Sequence, residues 1–497
     1  MVKGEKLIKI NEKDNVAVTL FDIKKGEVLT LGDYTLTAAE DIDKGHKIAF
    51  KSIEEGENVI KYGFPIGHAT RHISAGEYVH THNIKTNLKG LLEYTYEPEP
   101  YTEKARKEAE FMGYVRENGE VGVRNEIWII PTVGCVNKTA EILAREANKR
   151  FGDKTDGVFC YTHPFGCSQL GEDHKNTQKI LAGLVKHPNA AGVLVLGLGC
   201  ENNNISEFKN VLGDYNEKRV KFLNSQDVED EIEAGLAILE ELSEYASAFK
   251  REKCPVSKLI VGLKCGGSDA FSGITANPLV GKFSDILIEH GGTSILTEVP
   301  EMFGAETILM NHCIDEEIFN KTVNLINSFK EYYIKHDQVI YENPSPGNKK
   351  GGISTLEEKS LGCTQKGGTS RVVDVLDYGE KVAVPGLNLL KGPGNDIVAA
   401  TALTAAGAHI ILFTTGRGTP LGAPVPTVKV STNTALYEKK KSWIDFNAGQ
   451  LLEGKDMNTL SSEFFEFVLK VASGEIKTKN EINGYREISI FKDGVVL

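Results

Sequence analysis

The stretch Lys258-Leu259-Ile260-Val261-Gly262-Leu263-Lys264-Cys265-Gly266-Gly267-Ser268-Asp269 is an apolar run that ends abruptly in paired glycines, with charge, thiol, hydroxyl and carboxylate packed beside it. It reads as a buried strand opening into a reactive loop, and in an open α/β sheet ligands sit just beyond the carboxyl ends of the strands. Partial desolvation beside two glycines would lower the pKa of Lys264 and let it act as a base. Cys265, Ser268 and Asp269 add a thiol and hydrogen bonds. The plainer alternative is a glycine turn with a buried thiol and a surface lysine. A second loop, Lys391-Gly392-Pro393-Gly394-Asn395-Asp396, is set tight by glycine and proline, so that its amides suit a carboxylate, while Asn395 and Asp396 suit hydroxyl groups. Arg417, in Thr415-Gly416-Arg417-Gly418, has the forked donors to clamp a carboxylate bidentately.

Histidines and cysteines supply the remaining chemistry. His163 lies four residues before Cys167 in Tyr161-Thr162-His163-Pro164-Phe165-Gly166-Cys167-Ser168-Gln169, with Asp173 and His174 following. A Cys/His nucleophile pair and a satisfied loop histidine are both open there, because no orienting third group can be named. His80 and His82 lie two apart in Val79-His80-Thr81-His82-Asn83, a spacing that on an extended strand puts both imidazoles on one face, as a shared metal requires. Two surface histidines on a strand is the rival reading. The eight cysteines are too few and scattered for a secreted disulfide scaffold, and no CxxC occurs. Zinc ribbons and thioredoxin-like chemistry are thereby removed, although three cysteines from distant loops still suffice for an iron-sulfur cluster.

These residues need elements to hold them. Four apolar runs, Ile127–Pro131, Ala191–Leu196, the stretch at 258–265 and His409–Thr415, each end in a glycine loop, with helical stretches between, which is the pattern of an α/β multidomain protein. One helix is plain: after Asp227 the apolar Ile232, Leu236, Leu239 and Leu242 keep helical spacing among glutamates, and Lys250-Arg251-Glu252-Lys253 is expected to cap its end. Residues 1–95 alternate in short runs and form a small β domain; 96–108 is a linker; 109–254 and 255–497 are two α/β domains. Gly197-Leu198-Gly199 has Asn202 where a dinucleotide fingerprint needs its third glycine, and no Walker A motif is present. A net charge of −12 without a basic block argues against nucleic-acid binding. The start of the chain has no signal-peptide core and no run reaches membrane-spanning length, so no membrane partner and a cytoplasmic location are expected.

Taken together, several motifs resemble the altronate dehydratase and galactarate dehydratase family across essentially the whole chain. They are Val79-His80-Thr81-His82-Asn83, Arg124-Asn125-Glu126, His163-Pro164-Phe165-Gly166-Cys167, Gly197-Leu198-Gly199-Cys200-Glu201, Lys264-Cys265-Gly266-Gly267-Ser268-Asp269 and Gly392-Pro393-Gly394-Asn395-Asp396. The His-Thr-His-Asn variant is most similar to the altronate branch, and also to split sulfolactate sulfo-lyases, whose two subunits resemble the two parts of this chain. The resemblance implies an N-terminal SAF-like (β-clip) domain, two further domains with Rossmann-like sheets, and a ferrous or manganous ion (Fe2+ or Mn2+) supporting loss of water from a small-molecule sugar acid. D-altronate, giving 2-dehydro-3-deoxy-D-gluconate, is the expected substrate; galactarate, sulfolactate and a non-catalytic sugar-acid binding protein with a structural metal are the alternatives. His80 and His82 with an oxygen donor are the expected metal ligands, rivalled by thiolates from Cys135, Cys167, Cys200, Cys265 or Cys363. Lys264, His163, Cys265 and Asp269 form the expected catalytic group, with Lys264 or His163 as base; Ser268, Lys391, Asn395, Asp396 and Arg417 would hold the substrate. Monomer and homo-oligomer are both open.

Overall fold

Residues 5–102 and 105–495 are described by a computed structural model of the chain. In the N-terminal unit the alternating runs become strands as expected: Val16–Thr19 and Lys47–Ala49 pair antiparallel in a four-stranded sheet with Leu7–Ile8 and Tyr78–Val79. A hairpin, Val28–Leu31 with Tyr34–Thr37, and a three-stranded sheet complete it. Its turns are tight enough to need glycine. At Gly76, with φ +92°, a Cβ would fall 2.1 Å from the Thr37 carbonyl oxygen. The strand that was to present His80 and His82 ends at Val79, and His80–Asn83 is instead a turn closed by the Asn83 N–H on the His80 carbonyl at 2.9 Å.

Residues 96–108 form no helix or strand among those described, yet they are pinned along the third domain. The Tyr96 hydroxyl donates to the Cys313 carbonyl at 2.8 Å, and the Glu99 and Lys107 N–H groups reach the Asn311 and Glu289 carbonyls at 3.0 and 2.9 Å.

The second unit is a four-stranded sheet, β1 (Glu126–Pro131), β2 (Val158–Cys160), β3 (Ala190–Gly197) and β4 (Val220–Asn224), in the order β2-β1-β3-β4 and parallel throughout. Its helices are α1 (Asn137–Phe151), α2 (Gly171–Lys186), α3 (Ile205–Leu212) and α4 (Glu231–Ser247). The α4 helix is the one legible by spacing: Asp230 caps it through the Ile232 and Glu233 N–H groups, and Leu236, Leu239 and Leu242 are buried. The expected basic cap is absent. Arg251–Pro255 is a strand paired with Glu110–Val115, and the Arg251 guanidinium donates to the Met112, Val123 and Ala472 carbonyls, so tertiary pairing overrides the charge pattern.

The third unit is a seven-stranded parallel sheet of β5 (Ile260–Cys265), β6 (Thr293–Leu296), β7 (Val372–Leu376), β8 (Leu387–Leu390), β9 (Ile410–Thr415), β10 (Thr427–Ser431) and β11 (Phe446–Asn447), in the order β7-β8-β6-β5-β9-β10-β11. Around it lie α5 (Ala276–Glu289), α6 (Glu316–Lys335), α7 (Leu356–Cys363), α8 (Asp396–Ala405) and α9 (Met457–Ala472). In each parallel sheet the chain reverses its direction of travel across the sheet at one point, beside β1 in the second unit and between β5 and β9 in the third, and such points open a crevice at the strand ends. The units are close-packed: where α2 meets α8, a Cβ on Gly183 would lie 2.6 Å from the Ala405 carbonyl oxygen.

Candidate active site

Lys264 is the last residue but one of β5 and is fully buried. Its ammonium lies 2.6 Å from Glu298 Oε1, 2.8 Å from Asp396 Oδ1 and 3.0 Å from the Cys265 carbonyl. Glu298 sits just beyond β6 in the left-handed region at φ 70°, ψ 56°, a conformation that costs a non-glycine residue energy. What holds it there is visible: one carboxylate oxygen takes Lys264 and the other accepts the Cys265 N–H at 2.9 Å. Asp396 is the first residue of α8, whose cap is Asn395, accepting the Val398 N–H at 3.2 Å. The Asp396 side chain is 36% exposed, whereas those of Lys264 and Glu298 are 0% and 1% exposed, so Asp396 is the open member of the trio.

Beside it lies a second buried cluster. Cys265 Sγ and Cys363 Sγ stand 3.4 Å apart and both donate to Glu301 Oε2, at 3.2 and 3.1 Å. Lys366 Nζ is 3.1 Å from Cys265 Sγ, and Lys359 Nζ is 2.8 Å from Glu301 Oε1. Burial alone would raise the Glu301 carboxyl, but Lys359 and Lys366 outweigh it and hold it at about 2. The Cys363 thiol is pushed well above its ordinary value by its bond with Cys265 and by burial. Lys264 goes the opposite way from the expectation. Burial would lower it, but Glu298 and Asp396 more than compensate, and it is raised. It therefore stands as a charged ammonium, not as a desolvated neutral amine.

The charges around these donors leave room for a cation. Lys264, Lys359 and Lys366 face Glu298, Glu301 and Asp396, so the cluster is neutral with both thiols protonated. A divalent ion that displaces the two thiol protons leaves it neutral again, and thiolate coordination proceeds by that exchange. Cys265, Glu301 and Cys363 offer ligand atoms all within 4.8 Å of one another, and among the described residues they are the one such group of three. The donors fit a metal.

The element that assembles this centre is α7, all of whose residues are buried. Lys359 and Cys363 face the cluster, while Glu358 takes Lys47 Nζ at 2.9 Å and Lys61 Nζ at 2.7 Å from the N-terminal domain. Glu357 Oε1 accepts from the Thr86 hydroxyl and the Asn87 N–H at 2.8 and 2.6 Å. The N-terminal domain is thus bolted to the helix that carries Lys359 and Cys363.

The other expected residues fall into four places. Around the centre, Ser268 Oγ is buried without a protein partner, and Asp269, itself raised by burial, accepts from the Thr432 hydroxyl at 3.0 Å and the Phe271 N–H at 3.1 Å. Asp269 lies so close to Gly416 that a Cβ there would sit 2.2 Å from its Cγ, which fixes the β5 loop against the β9 loop. Arg417 is exposed over that junction, its Nη1 donating to the Gly347 carbonyl at 3.4 Å. Lys391 faces away: it lies 3.8 Å from Asp377 and lines a cavity of about 350 Å³ shared with Asp173, Lys179 and Tyr332. His163 is in the second unit. Its Nε2 meets the Pro131 carbonyl at 2.8 Å and its Nδ1 accepts the Phe165 N–H at 3.2 Å, so both ring nitrogens serve the loop. His80 and His82 flank the Tyr78 ring, with centroids 5.6 and 5.3 Å away, and His80 Nδ1 lies 3.0 Å from Ser354 Oγ. Burial, Lys47 and His46 lower His80 to about 4 and keep it neutral.

Sequence reasoning missed Glu298, Glu301, Lys359 and Lys366. Their signal was slight: acidic residues shortly after the short run Thr293–Leu296, and two lysines seven apart, Lys359 in the helix Leu356–Cys363 and Lys366 in the turn that follows it.

A thiol, carboxylate and lysine centre at the switch point of a parallel sheet, closed by a β domain, defines an α/β enzyme with a site for a polar small molecule. Comparison with known proteins specifies the family. Residues 5–87 match the altronate/galactarate dehydratase SAF domain, 113–247 the D-galactarate dehydratase/altronate hydrolase second domain, and 256–496 the D-galactarate/altronate dehydratase C-terminal domain. The chain is 57% identical to the altronate dehydratase of Bacillus subtilis (strain 168) and 54% identical to that of Escherichia coli (strain K12), with 99% of each chain aligned. It is 33% identical to the galactarate dehydratase (L-threo-forming) of E. coli over 98% of this chain and 97% of that one. The chain belongs to the altronate/galactarate dehydratase family, a family of hydro-lyases.

Proposed function

We propose that this protein removes water from D-altronate to give 2-dehydro-3-deoxy-D-gluconate, in the cytoplasm. The observation that carries the reading is the margin of similarity: 57% and 54% identity to altronate dehydratases against 33% to a galactarate dehydratase, each over nearly the full chain. Among the described residues no helix is long and apolar enough to cross a membrane.

The reaction needs a group to take the proton beside the substrate carboxylate, stabilisation of the enediolate, and an acid for the departing hydroxyl. Asp396 is the carboxylate open to the crevice and we assign it the C2 proton. Lys264, charged and buried behind it, orients Asp396 and offsets the charge that develops. Ser268 Oγ, unpartnered and buried, and Arg417 at the loop junction hold hydroxyl and carboxylate. A divalent ion on Cys265, Glu301 and Cys363 would supply Lewis acidity toward the substrate carboxylate. Two thiolates favour ferrous over manganous ion there. His80 and His82 remain the competing donor set.

The test is a panel of aldonic and aldaric acids and sulfolactate incubated with reduced, ferrous-loaded protein, followed by assay of the 2-keto-3-deoxy product. Turnover of altronate above the others is expected; turnover of none would leave only a sugar-acid binding protein. For the roles, Asp396→Asn should stop exchange of the substrate's C2 proton with solvent while binding stays measurable. If that variant exchanges normally and Lys264→Met does not, Lys264 is the base after all. Loss of metal from His80→Ala and His82→Ala, but not from Cys265→Ser, would move the ion to the histidines.

A further inference from the structure

The second-domain sheet ends in a constellation that this reaction does not use. β1, β2 and β3 are adjacent, and each runs into a glycine loop bearing an exposed free cysteine: Cys135, Cys167 and Cys200. The three loops are stitched together. The Gly134 N–H donates to the Phe165 carbonyl at 2.9 Å, the Asn203 N–H to the Gly166 carbonyl at 3.0 Å, and Asn203 Nδ2 to the Thr132 carbonyl at 3.0 Å. Thr132 Oγ1 adds a bond to buried Glu201 at 2.6 Å. Such contact demands glycine: at Gly166, φ +98°, a Cβ would lie 2.0 Å from the Thr132 carbonyl oxygen.

Two independent features mark the locus as built for a ligand. The α2 helix begins here, after Leu170, without a side-chain cap, which leaves its first N–H groups and positive dipole end beside the Cys167 loop. Polar atoms collect here without partners: Gln169 Nε2 and Asn203 Oδ1, on residues 3% and 0% exposed, together with Asn137 Oδ1 and Ser225 Oγ. Buried polar groups in native proteins are satisfied, so Gln169 Nε2 and Asn203 Oδ1, both on the stitched loops, call for something bound beside them.

The spacing of the thiols narrows what that is. A single tetrahedral ion about 2.3 Å from each thiolate would draw the sulfurs to within roughly 4 Å of one another. Among the described residues only Cys265, Glu301 and Cys363 meet a 4.8 Å limit as a group of three, so Cys135, Cys167 and Cys200 stand wider than one ion spans. A cluster in which each thiolate binds its own iron requires that wider spacing, and its sulfides accept hydrogen bonds from nearby donors such as Gln169 Nε2. We propose that Cys135, Cys167 and Cys200 ligate an iron-sulfur cluster of the [4Fe–4S] type, one iron of which carries no protein thiolate. The site stands whether or not altronate is the substrate.

The test is anaerobic reconstitution of the full chain with ferrous salt and inorganic sulfide, reading iron, acid-labile sulfide and the visible absorption band. On the order of four sulfides per chain are expected. Cys135→Ser, Cys167→Ser and Cys200→Ser should each lower bound sulfide about ten-fold or more, with unchanged thermal unfolding of the unreconstituted protein, because the three positions are exposed. Cys265→Ser and Cys363→Ser should retain it. The proposal is overturned if no sulfide is taken up, if the loops take up one zinc ion instead, or if the band survives the triple variant.

Discussion

The second and third domains solve the same topological problem with opposite chemistry. Both place cysteine-bearing glycine loops at the switch point of a parallel sheet, yet Cys265 and Cys363 are buried among three lysines and three carboxylates, whereas Cys135, Cys167 and Cys200 are exposed beside unpaired polar atoms. The difference comes from what covers the crevice. In the third domain α7 and the N-terminal domain cover Cys265, Cys363 and the ion pairs around them, and each charge buried there must be matched because an unmatched one is costly. Nothing comparable lies over the second-domain loops among the described residues, so their thiols meet solvent. Burial makes one site a neutral, preorganised ion-pair network; exposure leaves the other a set of donors.

The comparison breaks most decisively at Lys264. Lys264→Met removes the cation shared by Glu298 and Asp396, so turnover of the sugar acid should fall about 1,000-fold, and chemical denaturation should show about 3–5 kcal/mol less stability, since a buried Glu298 loses its partner. A variant as stable and active as the parent would show that the network is not what organises the site. Next in size is thiol reactivity. On metal-free, reduced protein, an aqueous disulfide reagent should label Cys135, Cys167 and Cys200 about 100-fold faster than Cys265 and Cys363, a contrast to be read by peptide mass mapping; equal rates would mean the third-domain site is open.

Glu358 probes the cover itself. Burial would raise its carboxyl, but Lys47 and Lys61 outweigh that and lower it from 4.5 to about 2. A depressed carboxyl contributes stability that is fully present above its unfolded value and is lost as pH falls, here from about 4.5 toward 2. Glu358→Gln should cost about 3 kcal/mol at neutral pH and weaken the dependence of stability on pH in that window. An unchanged profile would mean that the two lysines do not hold the domain in place. The smallest effect is expected at the rim: Arg417→Lys, which loses the fork, should raise KM for the sugar acid about ten-fold with kcat nearly unchanged.

The four strands with glycine loops that were legible in the sequence are β1, β3, β5 and β9, the strands that flank the two switch points. They were readable because a fully buried parallel strand is a continuous apolar run bounded by turn residues. The remaining strands escaped: β6 and β8 are four residues long, too short for periodicity to distinguish from helix. Among site residues, Lys264, Cys265 and Asp396 were recognised and do meet, while His163 carried a recognisable motif but spends both ring nitrogens on its own loop.

The sequence by itself determined the order of units, the placement of thiols and charges at strand ends, and the kinship to a dehydratase family, because these depend on local patterns along the chain. Tertiary structure alone decided which charges meet. Glu298, Glu301, Lys359, Cys363 and Lys366 lie 33 to 101 residues from the β5 residues they contact or help to surround, and no local pattern encodes such pairing. It also decided the state of Lys264, whose pKa depends on the balance between desolvation and two carboxylates: the chain specifies that it is buried, but only the fold supplies Glu298 and Asp396 within hydrogen-bonding distance and so keeps it charged.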